Sequence, residues 1–165
     1  MVALGSNLGP TERTLQQAIR ALARLLGPLR IAPFYRSEPV STLPQPDYLN
    51  TVVLARTALS AETLLEELQA IERRFGRVRR ADDPPAAPRT LDLDLLLLGR
   101  ISRRRRPPLL PHPRMRARRF VLAPLADLEP GLQLPPDGKT VGELLAALPA
   151  RPWARRLASP RRERQ

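Results

Sequence analysis

Cysteine is absent from this 165-residue chain, so neither a disulfide framework nor a thiolate metal site can be built from it. Histidine occurs once, at His112, which excludes a multi-histidine zinc centre and leaves little room for a Ser-His-Asp triad. Lysine occurs once, at Lys139, among 28 basic residues. No apolar run approaches the ~20 residues needed to span a bilayer. The opening Met-Val-Ala-Leu-Gly-Ser-Asn-Leu-Gly-Pro carries neither a basic n-region nor a long apolar h-region, so no secretory signal is expected and a cytoplasmic protein is. The sequence also lacks Gly-x-x-x-x-Gly-Lys-[Ser/Thr] and Gly-x-Gly-x-x-Gly, which removes the P-loop, dinucleotide and kinase-type phosphate loops. If this chain handles a nucleotide, metal and arginines must hold the phosphates.

Arginine is what the chain has instead, and the net charge is +12. Such a balance suits nucleic-acid binding, yet arginine, alanine, leucine and proline run high together, which favours compositional bias for the clusters at Arg103 to Arg106 and beyond Arg155. Arginine beside acidic residues is different, because there it can clamp phosphate oxygens bidentately.

The length fits one domain with a sizeable core. Residues 2–5 read as a short strand. A helix opens at Gly9-Pro10 with Leu15, Ile19, Leu22 and Leu26 at helical spacing, and Gly27-Pro28 stops it. A second strand is expected over 29–37, a proline-rich loop over 38–46, and a third strand over 48–57. In that strand Leu49, Thr51, Val53 and Ala55 share one face, and Asn50, Val52 and Leu54 the other. Ser60 should cap a helix whose buried stripe is Leu64, Leu68, Ile71 and Phe75, with Gly76 as its stop. A charged, proline-rich loop (77–88) leads into an Asp-bearing strand, and short helices are expected over 120–128 and 141–148. The order β-α-β-β-α-β predicts an α+β domain over residues 1–150 with a ferredoxin-like core, an antiparallel sheet with helices packed on one face. Residues 151–165 read as a basic, disordered tail.

The most informative stretch is Arg89-Thr-Leu-Asp-Leu-Asp-Leu-Leu-Leu-Leu-Gly99. Residues i and i+2 of a strand share a face, so Asp92 and Asp94 point the same way, roughly 7 Å apart. Two like charges so close to an apolar core oppose each other's ionisation unless a cation lies between them. Hard divalent ions such as Mg²⁺ take a few carboxylate oxygens and complete their shell with water and substrate phosphates. The pair therefore points to phosphate chemistry.

Five segments in register carry a specific resemblance. They are Leu4-Gly-Ser-Asn-Leu8, Gln45-Pro-Asp-Tyr-Leu-Asn50, Gly76-Arg-Val-Arg79, Arg89-Thr-Leu-Asp-Leu-Asp94, and Pro111-His-Pro-Arg-Met115 leading into Arg118-Arg-Phe-Val-Leu122. Over residues 2–148 the chain resembles the 6-hydroxymethyl-7,8-dihydropterin pyrophosphokinases of folate biosynthesis. The resemblance implies transfer of pyrophosphate from ATP to the pterin's hydroxymethyl oxygen, with two Mg²⁺ ions on Asp92 and Asp94. It implies phosphate-clamping roles on mobile loops for Arg77, Arg79 and Arg89, and ATP contacts from Gln69, Glu72, Arg89, His112 and Arg118. It places the pterin among Ser37, Val40, Tyr48, Asn50 and Phe120, types that suit an aromatic sandwich with an amide reading the edge. Arg114, Arg116 and Arg119 are expected to face solvent. The loop before Arg89 departs from the family, reading Asp82-Asp-Pro-Pro-Ala-Ala-Pro88 where a tryptophan and glycine are usual.

Two other readings compete. One is a basic RNA-binding module on a ferredoxin-like sheet, opposed by the presence of only six aromatic residues and by acids on the key strand. The other is a family member that binds nucleotide without turnover. The favoured reading expects ATP and the pterin as partners, with no nucleic acid and no membrane, and a monomer.

Overall fold

The computed structural model describes residues 1–41, 44–77 and 87–158; Arg79 and most of the 77–88 loop lie outside these. In chain order the elements are β1 (Val2–Ser6), α1 (Thr11–Leu26), β2 (Arg30–Ile31), β3 (Tyr35–Ser37), β4 (Tyr48–Leu54), α2 (Ala61–Arg74), β5 (Asp92–Leu95), α3 (Arg119–Leu128), β6 (Gln133–Leu134), β7 (Lys139–Thr140), α4 (Val141–Ala147) and β8 (Ala154–Arg156). A single 3-10 turn at Met115–Ala117 precedes α3. The class is mixed α and β: among the described residues, four α-helices and an antiparallel sheet. No described helix is long and apolar enough to cross a membrane.

Local chemistry sets the helix ends. The Ser60 side chain accepts the Thr63 amide at 3.1 Å, capping α2, and Gly76 ends it with φ +77, a conformation that favours glycine. Thr140 and Glu143 form a reciprocal capping box at α4. The expected strand over 29–37 is broken in two. Pro33 lacks the N–H that a ladder needs, and β2 and β3 pair with β4 on either side of that interruption.

The main sheet runs β5-β1-β4-β3-β8, with β2 also against β4. One face carries Val2, Leu4, Leu49, Val53, Leu93 and Leu95 against Leu15, Leu22, Leu64 and Leu68 of α1 and α2. The other carries Ala3 and Val52 against Val121, Leu122 and Leu125 of α3 and Val141 and Leu144 of α4. Helices therefore cover both faces, a correction to the one-sided packing expected. The second face is only partly covered, and the uncovered part is where the cleft opens.

Residues 151–158 also depart from expectation. They do not form a disordered tail: Ala154, Arg155 and Arg156 stand opposite Ser37, Arg36 and Tyr35, so β8 forms an edge of the sheet. The Leu157 amide donates to the Phe34 carbonyl at 2.8 Å, and the Leu157 side chain packs on the core. Nothing in the composition of Ala-Arg-Arg announces a strand; its partner does.

Buried Tyr35 ties β3 to α3 through a 2.8 Å hydrogen bond donated to Asp127. Burial, then the bond to Asp127 and its charge, push the phenol up from 10.0 to about 12. A pKa raised by folding gives stability that is intact below about pH 10 and lost as pH rises through about 12. Tyr35→Phe should be less stable than wild type by about 1 kcal/mol at neutral pH. Urea denaturation should show that gap closing across the alkaline range, and a constant gap up to pH 12 would remove the linkage.

Candidate active site

Strand register assembles the centre of the site. Gly5 of β1 stands opposite Asn50 of β4 on one side and Asp92 of β5 on the other; Ala3 stands likewise between Val52 and Asp94. Asp92 and Asp94 thus share one face, while Leu93 and Leu95 enter the core on the other. The small residues between the acids and Asn50 matter. A Cβ at Gly5 would lie 3.2 Å from the Asn50 amide oxygen and 3.8 Å from the Tyr48 ring, so glycine leaves the floor clear.

Arginines neutralise the acids. Arg77 bonds Asp92 Oδ1 and also Glu72 Oε1, the latter at 2.6 Å, while Arg89 bonds Asp92 Oδ2 at 2.6 Å. Burial pushes the Asp92 carboxyl up, but the charges and hydrogen bonds of Arg89 and Arg77 outweigh it and hold the group below the usual carboxylate range. Asp94 accepts from Arg118 at 3.1 Å, and the Arg118 guanidinium lies 5.4 Å over the Phe120 ring. His112 Nε2 is 3.9 Å from Asp94, and its Nδ1 accepts the Arg114 amide at 3.2 Å, which fixes the Nε2–H tautomer. Burial lowers the His112 pKa, opposed by Asp94 and assisted by Arg118 and Arg114, so the neutral form prevails near pH 7.

Beside this cluster opens a cleft of about 420 Å³. Arg89, Asp92 and Arg118 line it together with Ser37, Val40, Tyr48, Asn50 and Phe120. Asn50 is buried and donates to Ser37 Oγ at 2.8 Å, which orients its amide, and Tyr48 is half-buried with its hydroxyl 3.3 Å from the Ala87 carbonyl. The N-terminus of α3 faces the cleft with no acidic residue in its first turn, an end that favours anions. Buried Asn7 joins the two sides: its Nδ2 donates to Gln45 at 2.8 Å and to the Pro46 carbonyl, and its Oδ1 accepts the Arg89 amide at 2.7 Å.

The expected residues fall into three groups. Asp92, Arg89, Arg118 and all five predicted pterin residues meet in the cleft, with Asp94 and His112 adjoining through Arg118. Arg77 and Glu72 do not reach it. Arg77 is paired to Glu72 and Asp92 with its side chain 9% exposed, and Glu72 is turned inward, accepting the Leu93 amide at 2.8 Å. Gln69 is half-buried on α2 and does not line the cleft. Arg79 lies outside the described residues. Two arginines expected in solvent have structural work: Arg116 bonds Asp137 and the Leu134 and Pro135 carbonyls, and Arg119 bonds the Leu148 and Pro149 carbonyls at the end of α4. Arg114 is exposed as expected, yet it lines the rim. Gln45, Glu38 and Pro152 also line the cleft. Gln45 lay within a recognised segment, but no sequence signal linked Glu38 to Pro152.

Paired acids ringed by guanidiniums, beside a pocket of aromatic and amide groups, define a class: proteins that handle a phosphorylated ligand next to a flat polar heterocycle. Comparison with known proteins agrees. Residues 1–130 match the family model described as 7,8-dihydro-6-hydroxymethylpterin-pyrophosphokinase, and the chain belongs to that family. It is 46% identical over 154 residues to a 2-amino-4-hydroxy-6-hydroxymethyldihydropteridine pyrophosphokinase of Pseudomonas aeruginosa, covering 90% of each chain. A protein of the same name from Synechocystis sp. is 43% identical over 147 residues, covering 88% of this chain and 73% of that one. The Bacillus subtilis protein of that name is 40% identical over 129 residues, covering 77% and 75%.

Glu72 is the testable support of the cluster. Glu72→Ala leaves the Leu93 amide unpaired and strips one carboxylate from the near-buried Arg77, so it should cost about 3–5 kcal/mol in urea unfolding. Glu72→Gln keeps an acceptor for Leu93 and should cost less. Equal losses in the two variants would mean that this acceptor does not matter.

Proposed function

We propose that the protein transfers pyrophosphate from ATP to 6-hydroxymethyl-7,8-dihydropterin, giving AMP and the pterin diphosphate, as a Mg²⁺-dependent enzyme of folate biosynthesis. Family membership supports the reaction. The observation that carries it to these residues is the placement of Asp92 and Asp94 on one face beside the cleft. We further read the strand order β5-β1-β4-β3 as the ferredoxin-like arrangement, with β8 added at its edge. We read the enzyme as a cytoplasmic monomer whose partners are the two substrates.

The donor set fits Mg²⁺. Among the described residues no group of three or more His, Cys, Asp or Glu gathers to form an all-protein metal cage. Two carboxylates that leave the remaining positions to water and phosphate are the usual provision for this ion. In our reading Asp92 and Asp94 hold two such ions. A divalent ion held there would supply the positive charge that phosphoryl transfer needs around the triphosphate.

The chain's own groups then do the following. Arg89 and Arg118, which now bond Asp92 and Asp94, are within the site to take phosphate oxygens, and the α3 terminus adds positive potential. His112 presents Nε2–H as a neutral donor to the nucleotide. Arg77 acts through Asp92, holding its carboxylate against Glu72. Tyr48 and Phe120 flank the heterocycle while Asn50, oriented by Ser37, reads its amide-like edge. The hydroxymethyl oxygen bonds to the β-phosphorus and gives up its proton to solvent, the bond from that phosphorus to the oxygen bridging it to the α-phosphate breaks, and that oxygen leaves as part of AMP.

The test is release of AMP from ATP, dependent on both the pterin and Mg²⁺. Asp94→Ala should lower turnover by at least ~1,000-fold, a loss of about 4 kcal/mol of transition-state stabilisation, while circular dichroism stays that of wild type. Arg89→Ala should lower kcat by ~100-fold and change KM less, as for a group used chiefly in the transition state. Normal turnover by Asp94→Ala would end the metal assignment.

A further inference from the structure

Residues 151–157 run beside the cleft. Pro152 lines the rim, and Trp153 is paired to Glu38 twice: the Glu38 amide donates to the Trp153 carbonyl at 3.1 Å, and the Trp153 amide donates to Glu38 Oε2 at 3.2 Å. Arg151 donates to Glu38 Oε1 at 2.7 Å from the solvent side. Both carboxylate oxygens of Glu38 are thereby engaged by the chain itself. Glu38 directly follows Ser37, whose Oγ accepts from the Asn50 amide and whose backbone stands opposite Ala154 of β8. The segment is anchored at its other end by Leu157 on Phe34 and by Arg156, 3.7 Å from Asp127. The Arg155 guanidinium lies 5.0 Å over the Trp153 ring. These contacts are made with Phe34, Glu38 and Asp127, whereas Asp92 and Asp94 are paired with Arg77, Arg89 and Arg118.

We infer that residues 151–157 are a strap that fixes Glu38, and through it the Ser37–Asn50 pair, so that this segment sets affinity for the flat heterocycle and leaves the nucleotide side untouched. The inference rests on the proposed reaction, because it takes the Ser37 and Asn50 side to be the pterin side. Glu38 is a positioning residue. Its carboxylate is spent on the Trp153 amide and Arg151 instead of on a ligand, and the exposed Arg151 pair contributes little beside the amide bond.

The experiment uses the full chain with Mg²⁺, a non-hydrolysable ATP analogue and 6-hydroxymethylpterin, with each dissociation constant measured by calorimetry. Glu38→Ala should weaken pterin binding about tenfold, the scale of a lost hydrogen bond to a charged group, and change analogue binding less than about twofold. Glu38→Gln keeps an oxygen for the Trp153 amide and should stay within about threefold of wild type. Arg155→Pro, which removes the ladder donor opposite Arg36, should reproduce Glu38→Ala although Glu38 is intact. Trp153 is the sole tryptophan, so acrylamide quenching of its emission reads the strap directly and should rise in Glu38→Ala.

If Arg155→Pro fails to fold, the contrast between Glu38→Ala and Glu38→Gln decides alone. Pterin affinity unchanged in Glu38→Ala, or pterin and nucleotide weakened together, overturns the strap. So does Glu38→Gln failing as badly as Glu38→Ala, which would mark a direct charge contact. Wild-type protein that binds the analogue but releases no AMP and binds no pterin would overturn the proposed reaction itself, and the strap with it.

Discussion

Charge balance around one strand end governs this molecule. Asp92 and Asp94 project from β5 onto a single face, and Glu72 approaches the same strand from α2. Three guanidiniums answer these three carboxylates: Arg77 between Glu72 and Asp92, Arg89 on Asp92, and Arg118 on Asp94. An unpaired carboxylate here would face desolvation by the leucines of the opposite face and repulsion from its neighbour. With the pairs made, the cluster is neutral and tolerable without any bound ligand. On the proposed reaction, the same arginines are the groups best placed to follow the negative charge when it arrives as phosphate and a divalent cation takes the carboxylates. On this view ligand binding exchanges one set of charge pairs for another, and buries no new unpaired ion.

The cluster also solves a problem of the sheet. β5 lies at the end of the strand order, so among the described residues its outer N–H and C=O groups have no strand to pair with. Glu72 accepts the Leu93 amide, and Arg77 donates to the Leu91 carbonyl at 3.2 Å. The end of α2 therefore closes the edge that carries the acids. Fold stability and site geometry are coupled in these two residues, and for that reason Glu72 and Arg77 belong behind the reacting groups. The opposite edge is closed by β8, again with a consequence for the cleft, since β8 backs the rim strand β3.

What could be read from the sequence was what depends on period and local chemistry. Alternation placed both acids on one face of the strand; helical spacing found Leu64, Leu68 and Ile71; Ser60 and Gly76 marked the ends of α2. The cleft residues came from motifs whose types match a flat polar ligand, and the structure does gather them. The rest depends on which distant segment arrives as a partner. Glu72 shows the same helical spacing whether it faces solvent or a strand edge. Arg116 and Arg119 look like any surface arginine until Asp137 and the α4 carbonyls are placed beside them. Ala154–Arg156 has no apolar alternation, because an edge strand three residues long needs only β3 to bond to. Pro33 could have predicted the break between β2 and β3, since proline cannot donate in mid-ladder.

The two halves of the cleft are held by different physics. The acid side is fixed by ion pairs, which can be re-formed on phosphate without moving the backbone. The amide side is fixed by backbone pairing, by the bond that Asn50 donates to Ser37 and by the bond that the Trp153 amide donates to the Glu38 carboxylate, which on the proposed reaction offer a planar ligand a preset edge. Between them stands Asn7, bonded to Gln45 on one side and to the Arg89 amide on the other. A buried amide with its donors and acceptor so engaged cannot shift toward one loop without straining its bond to the other. Ordering of Arg89 on phosphate would therefore be felt at Gln45 through a single side chain. On the proposed reaction this makes a two-substrate site of one sheet face, with exchangeable pairs where charge must change hands and fixed ones where shape must be read.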